Sequence, residues 1–346
     1  MKAAFRLAPV VAGAAAILST CAPGPRPPIA QPPPVTTTRQ VSGTTQLLIG
    51  LSVVDERVVW ASGTGGTYLR TTDGDATWQA GRVPGADSLQ FRDVYALDSS
   101  TAWLLSIGNG AASRIYFTAD GGRTWTPQFE NPDPGAFYDC FDFWDPRRGL
   151  AISDAVDGET VALTTGDGGA HWTRIPPERL PAARPGEGSY AASGTCVITR
   201  PGGEAWIAVG TPASRLLHTR DYGGTWTAAP VPVAGITSVS FRDAADGIVV
   251  GFDSTAAAAA THDGGRTWIR GGPPPFPGGV YGGAYVPRAR RPAVVAVGPR
   301  GSAYSLDDGA TWIGIDAEAY WSVAFASARA GWMVGPHGRI TRIGGF

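Results

Sequence analysis

Three cysteines, four histidines and a net charge of −1 in 346 residues set the first limits. Balanced charge leaves no strongly basic surface, which argues against nucleic acid as a partner. His171, His218, His262 and His337 are scattered, and three of them fall in or beside one kind of turn, so no metal site is assigned. No Gly-x-Gly-x-x-Gly opens a helix after a strand, and no helical periodicity is sustained. A dinucleotide fold is therefore excluded, and no cofactor is expected. Serine-hydrolase signals are absent. After the N-terminus there is no run of about 20 apolar residues, so nothing later in the chain spans a membrane as a helix.

What is present is a repeated phrase: a hydroxyl residue, a spacer, Asp, a spacer, Gly, a spacer, Thr, Trp. It reads Thr71-Thr72-Asp73-Gly74-Asp75-Ala76-Thr77-Trp78 and Thr118-Ala119-Asp120-Gly121-Gly122-Arg123-Thr124-Trp125. It returns at Asp167 with Trp172, Asp221 with Trp226, Asp263 with Trp268 and Asp307 with Trp312. Successive aspartates lie 47, 47, 54, 42 and 44 residues apart. A period of roughly 40–50 residues is that of a propeller blade, a small four-stranded sheet. The fold class is thus all-β, a β-propeller. Asp-Gly-Gly between strand-like runs marks a tight hairpin, because Gly accepts positive φ. The Asp carboxylate can accept backbone N–H groups of the turn, and the Trp buries its ring on the sheet. The phrase resembles the Asp-box (BNR-type) repeat of sialidase-type and photosystem II assembly-factor-type propellers. That resemblance implies a structural role for Asp73, Asp120, Asp167, Asp221, Asp263 and Asp307, away from the ligand face.

Apolar strand starts recur near Leu51, Val94, Phe141, Ala192, Val239, Ala284 and Val323, giving seven units for six boxes. The N-terminal segment around Gln46-Leu47-Leu48 is expected to supply the missing outer strand of the last blade, since a propeller protects its sheet edges by closing the ring.

The first residues read as an export signal: Lys2 and Arg6, then a mostly apolar stretch from Leu7 to Leu18. Leu18-Ser19-Thr20-Cys21 resembles a bacterial lipobox, which implies lipidation of Cys21; Thr20 departs from the smaller residue usual there. Conventional secretion and an uncleaved anchor are the alternatives. Ala22 in place of Asp implies, by the same resemblance, the outer membrane of a Gram-negative cell. The Pro- and Thr-rich stretch that follows cannot build a core and reads as a tether. The resulting division is signal 1–21, tether 22–44 and propeller 45–346, with the domain periplasmic and held to the membrane by its lipid alone. Cys140 and Cys196 fall on inner strands of neighbouring units. A disulfide between them is open, although two buried free thiols are favoured, because free Cys is often a small core residue.

Propeller ligands bind where the innermost strands begin. Aligning the units puts Arg92, Asp139, Thr237 and Trp321 at that position. Tyr138 and Asp154 lie close by, and Glu187 ends a Pro- and charge-rich loop from Pro176 to Gly188. Arg92, Tyr138, Asp139, Asp154, Glu187 and Trp321 are therefore the candidate ligand-binding residues. The competing account is an Arg92–Asp139 salt bridge with solvated loop acids.

Gly50-Leu51-Ser52-Val53-Val54-Asp55, Phe137-Tyr138-Asp139-Cys140-Phe141-Asp142-Phe143-Trp144 and Ala191-Ala192-Ser193-Gly194-Thr195 resemble bacterial exported propellers related to the photosystem II stability and assembly factors. The likeness runs from about Thr45 to Phe346. It implies a non-catalytic protein that binds a partner protein; a protein or glycan ligand of the cell envelope and a monomeric state are expected. The alternative is a sialidase-like glycoside hydrolase acting at the channel mouth. Such enzymes need three Arg for a carboxylate and a Tyr nucleophile, and the Phe-Arg-Ile-Pro signature is missing: Arg174-Ile175-Pro176 follows a box Trp instead.

Overall fold

The computed structural model describes residues 1, 35–74, 77–253 and 257–346. The chain divides into two units, Met1–Pro32 and Pro33–Phe346. The export signal, Cys21 and most of the tether lie outside the described residues.

The second unit opens with β1 (Thr36–Gln40). Blade 1 is β2 (Leu48–Val53), β3 (Val59–Gly63), β4 (Thr67–Thr71) and β5 (Gln79–Arg82); blade 2 is β6 (Phe91–Ala96), β7 (Ala102–Ser106), β8 (Arg114–Thr118) and β9 (Thr126–Glu130). Blade 3 is β10 (Tyr138–Phe143), β11 (Gly149–Val156), β12 (Glu159–Thr165) and β13 (Thr173–Arg174); blade 4 is β14 (Val197–Arg200), β15 (Glu204–Val209), β16 (Arg215–Thr219) and β17 (Thr227–Pro230). Blade 5 is β18 (Ile236–Phe241), β19 (Gly247–Gly251), β20 (Ala258–Thr261) and β21 (Ile269–Arg270). Blade 6 is β22 (Gly282–Tyr285), β23 (Val294–Gly298), β24 (Gly301–Ser305) and β25 (Ile313–Asp316). Blade 7 is β26 (Ser322–Ser327), β27 (Ala330–Gly335) and β28 (Arg339–Gly344), with β1 as its outer strand. These are seven four-stranded antiparallel blades, a β-propeller.

The ring closes differently from the sequence expectation. β1 pairs with β28 from Thr36↔Gly344 to Gln40↔Ile340. Gln46 and Leu47 precede β2, and Leu48 begins it as an innermost residue. The propeller thus starts inside the stretch read as tether, upstream of Thr45. The fourth unit also begins later than expected, at Val197 rather than Ala192.

Burial follows from strand position. The second strands are sandwiched between neighbouring blades, so they read as nearly unbroken apolar runs: β3, β7, β19, β23 and β27 are buried throughout. Trp60, Trp103, Trp206 and Trp332 on these strands are the largest fully buried side chains, each stabilising the core by roughly 2–3 kcal/mol. The Trp of the repeated phrase is only partly buried and packs onto the rim of these clusters, as Trp125, Trp172 and Trp312 do. Neighbouring inner strands are joined by side-chain latches: backbone N–H groups of Ala96, Phe141, Thr199 and Tyr285 donate to Ser52, Asp93, Asp142 and Ser240 of the preceding blade at 2.7–3.1 Å.

Each repeated aspartate closes the turn between a blade's third and fourth strands. Asp263 accepts the Thr261 hydroxyl at 2.9 Å, the Thr267 N–H at 2.9 Å and the Thr267 hydroxyl at 2.6 Å. The same set recurs at Asp73, Asp120, Asp167, Asp221 and Asp307, with His171 and Ser305 replacing threonines. Donors from the residue four positions on hold Asp120, Asp167 and Asp263 at about 2, led by the Thr124 N–H, the His171 ring and the Thr267 hydroxyl respectively.

Cys140 and Cys196 form a disulfide with a Cα–Cα distance of 5.9 Å, which corrects the expectation of two free thiols. Both residues are fully buried in one interblade cluster. The innermost strand of blade 3 lies directly beside the segment entering blade 4, so the two sulfurs meet in the same core.

Candidate functional site

Antiparallel pairing dictates which loops share a face. Each first strand begins where the second ends, and the third–fourth turn carrying the repeated aspartate lies at the opposite end. The starts of the first strands and the ends of the second strands therefore surround the mouth.

At the mouth the first strands carry a shared irregularity. In blade 2 the register jumps from Phe91↔Ser106 to Asp93↔Leu105, and in blade 3 from Tyr138↔Ser153 to Cys140↔Ile152. Blades 1 and 5 jump likewise, past Ile49 and Thr237. The skipped residues include Arg92 and Asp139. A bulge removes one residue from the ladder and re-aims its side chain, which is how these two leave the pleat for the mouth. A second bulge, between Ser153 and Val156, releases Asp154.

Arg92, Asp139, Asp154 and Trp321 line one cleft of about 510 Å³. The rest of its wall is Ile107 and Phe137, then Ser189, Tyr190, Ala191 and Ala192 from the long connection into blade 4, with Phe252 and Tyr281 opposite. Tyr190, Phe252, Tyr281 and Trp321 form an edge-to-face arc, with ring centroids 5.0, 5.6 and 5.0 Å apart in succession. Glycines make room for it: a Cβ at Gly210 would sit 2.5 Å from the Tyr190 ring, and one at Gly279 2.7 Å from Phe252.

The same cleft has polar residues in its wall. Arg92 makes no ion pair with Asp139 among the described residues. Its terminal nitrogens donate to the Ala191 carbonyl at 2.9 Å and to Gln90 Oε1 at 3.1 Å. Asp154 Oδ1 accepts the Ser189 N–H at 3.1 Å. Asp139 is 2% exposed, and its Oδ2 has no hydrogen-bond partner among the described residues. Burial, then the neighbouring Asp154 charge, push the Asp139 carboxyl well above the usual carboxylate range, with the Ala191 N–H pulling the other way. Burial also raises Asp154.

Two candidates are elsewhere. Tyr138 is buried, packs edge-to-face on Phe129 at 5.3 Å, and has its hydroxyl pushed to about 12 by burial. It neighbours the bulged Asp139 in sequence, and the pleat turns it into the core. Glu187 is buried in an ion pair with Arg215 and is not a solvated loop acid. Conversely, the sequence reading omitted Phe252 and Tyr281 from the site. The positional signals were there: Tyr281 immediately precedes a first strand, as Trp321 does, and Phe252 immediately follows a second strand, as Ile107 does.

No protein-family model matches the chain, and no curated protein matches it. Solved structures do. YCF48 bound to a D1 peptide superposes with a TM-score of 0.66 at 17% identity, over 91% of this chain and 96% of that one. YCF48 from Cyanidioschyzon merolae gives 0.66 at 16%, over 89% and 98%. The GH74 xyloglucanase from Xanthomonas campestris gives 0.61 at 16%, over 88% of this chain and 53% of the enzyme. The likeness is one of fold.

Proposed function

We propose that this protein is a non-catalytic propeller that grips a segment of a protein partner, or an envelope polymer, in the cleft at its mouth. The observation that carries this reading is the aromatic arc sharing one cleft with buried Asp139, whose Oδ2 has no partner among the described residues. Rigid rings beside a few convergent polar groups make an adhesive surface for an extended ligand. The likeness to YCF48, which binds a D1 peptide in one of those structures, supports a peptide-like ligand and an assembly- or stability-factor role. The N-terminal signal and lipobox-like Cys21 support an exported protein, tethered by lipid in the periplasm. The six aspartate turns are taken as Asp boxes with a purely structural role.

Against hydrolysis of the sialidase type, Arg92 is the one arginine lining the cleft among the described residues, and its terminal nitrogens are already engaged. Three arginines are needed to clamp a sialic carboxylate. One observation favours a different glycoside hydrolase: Asp139 and Asp154 are two interacting carboxyls with raised affinity for protons, the property of a general acid. A panel of aryl glycosides, sialosides included, separates the readings. Turnover abolished by Asp139→Asn establishes an enzyme. No turnover, with peptide-array binding lost in Trp321→Ala, supports the binding propeller.

A further inference from the structure

The polar atoms of the cleft point to the chemistry of what it holds. Ser189 Oγ donates to the Ala208 carbonyl at 2.9 Å, Asp154 Oδ1 has the Ser189 N–H, and the two terminal nitrogens of Arg92 have Ala191 and Gln90. Two buried polar atoms of the cleft residues have no partner among the described residues, the donor Arg92 Nε and the carboxyl oxygen Asp139 Oδ2. Leaving such an oxygen unpaired costs on the order of 1–3 kcal/mol, so a bulge that places it at the edge of an open cleft calls for an incoming donor. The four rings of the arc, whose faces carry negative potential, line the same cleft, and Asp154 adds a second carboxyl.

A compact cation bearing N–H groups suits Asp139 Oδ2, the second carboxyl and the rings at once. A quaternary ammonium would suit the rings but has no proton for Oδ2. A guanidinium would bring five donors in a fixed fork to a wall short of acceptors and already occupied by Arg92. Building on the peptide-gripping reading above, we propose that the cleft takes a primary ammonium group of the bound segment, a lysine side chain or a free amino terminus. The nitrogen donates to Asp139 Oδ2, and the attached carbon stem lies along the rings of Tyr281 and Trp321.

A pH signature follows. The other titratable groups lining the cleft are Asp154 from β11, Arg92 from β6, Tyr190 from the loop into blade 4 and Tyr281 ahead of β22. Burial and Asp154 keep the unliganded Asp139 carboxyl protonated above the usual range. Seating an ammonium ionises it, so binding releases a proton, and affinity rises with pH until Asp139 ionises unaided.

The test is calorimetric titration of the full-length protein with four probes. These are an end-blocked Gly-Ser peptide with a central lysine, its acetyl-lysine and trimethyl-lysine forms, and an unblocked peptide with norleucine at that position. The lysine peptide or the unblocked norleucine peptide is expected to bind about tenfold tighter than the acetyl-lysine peptide. Whichever does so identifies the source of the ammonium. Proton release is expected when buffers of different ionisation enthalpy are compared. Asp139→Asn should erase the preference. If that variant does not fold, Trp321→Ala should weaken the preferred probe about fivefold. Equal binding of charged and acetylated peptides overturns the ammonium assignment while leaving the peptide-gripping reading in place. Tighter binding of trimethyl-lysine than lysine overturns the bond to Oδ2. No binding by any of the four at about 1 mM overturns the assignment and removes support from the peptide reading as well.

Discussion

Gln40 Oε1 accepts a hydrogen bond from the Trp78 indole N–H at 2.9 Å, tying the strand that closes blade 7 to the edge of blade 1. The Gln40 side chain also donates to the Gly74 carbonyl at 3.4 Å, and the residue is 7% exposed. The seam of the ring is thus held by a β-ladder and by one buried amide.

That seam is testable. A chain beginning at Val35 keeps β1, whereas one beginning at Val41 leaves the edge of β28 unpaired. Loss of the ladder should cost on the order of 3 kcal/mol and promote association through the open edge. Gln40→Ala alone should cost about 1 kcal/mol. Urea unfolding with light scattering measures both. Equal stability of the two chains would show that the ring does not depend on this closure.

The fold was legible because the information for it is local. Thr261, Asp263 and Thr267 complete their turn within seven residues, and its recurrence sets the blade period, while the recurring apolar strand starts supply the seventh blade. Closure was not legible, because β1 exposes four of its five residues and carries no alternating apolar pattern in a Pro/Thr-rich stretch. Four of the six candidate residues line the cleft, and Arg92 and Asp139 could be read because they hold equivalent places on aligned first strands. Successive side chains of a strand, however, face opposite ways, so the neighbour of a mouth-facing residue turns into the core. Tyr138 was misassigned for that reason. Phe252 and Tyr281 come singly from separate connections, and Glu187 finds Arg215 28 residues away in sequence.

The Glu187–Arg215 pair anchors the connection that delivers Ser189 and Tyr190 to the mouth; its side chains are 3% and 7% exposed. Glu187 Oε2 also takes the Arg184 N–H at 3.2 Å, and Arg215 reaches the Ala182 carbonyl at 3.0 Å. Glu187→Gln should destabilise by about 3–5 kcal/mol, because a guanidinium is left buried without its partner. The double variant Glu187→Leu with Arg215→Met should recover much of that. A loss under about 1 kcal/mol in the single variant would mean that the pair does not hold the loop.

The Cys140–Cys196 bridge spans 56 residues of sequence. Constraining a loop of that length in the unfolded chain stabilises by roughly 2–4 kcal/mol. Cys140→Ser with Cys196→Ser, or reduction with dithiothreitol, should lower the denaturation midpoint accordingly. Reduction should leave the serine double variant unchanged. Sensitivity of that variant to dithiothreitol would point to chemistry elsewhere.

Acid and neutral conditions should separate two sets of carboxyls. Asp142, on β10, is raised to about 6, chiefly by burial, against the N–H groups of Phe143 and Thr199 and the Thr199 hydroxyl, which favour its charged form. A folded value above the unfolded one means that the native state keeps a proton the unfolded chain releases. The resulting stability is complete below about pH 4 and is lost as pH rises through about 6. Buried Asp93 and Asp139 act in the same direction. Asp120, Asp167 and Asp263, held at about 2, act oppositely: their contribution is present above about pH 4 and disappears as pH falls through about 2. Stability from these groups therefore peaks near pH 4 and declines toward neutrality. Asp142→Asn keeps an acceptor for the Thr199 N–H and removes one titrating group. Between pH 4 and pH 7 its stability should improve relative to the parent by roughly 2 kcal/mol. Urea unfolding at pH 4, 5, 6 and 7 measures the difference; parallel profiles for parent and variant would show that Asp142 is ionised in the folded protein throughout that range.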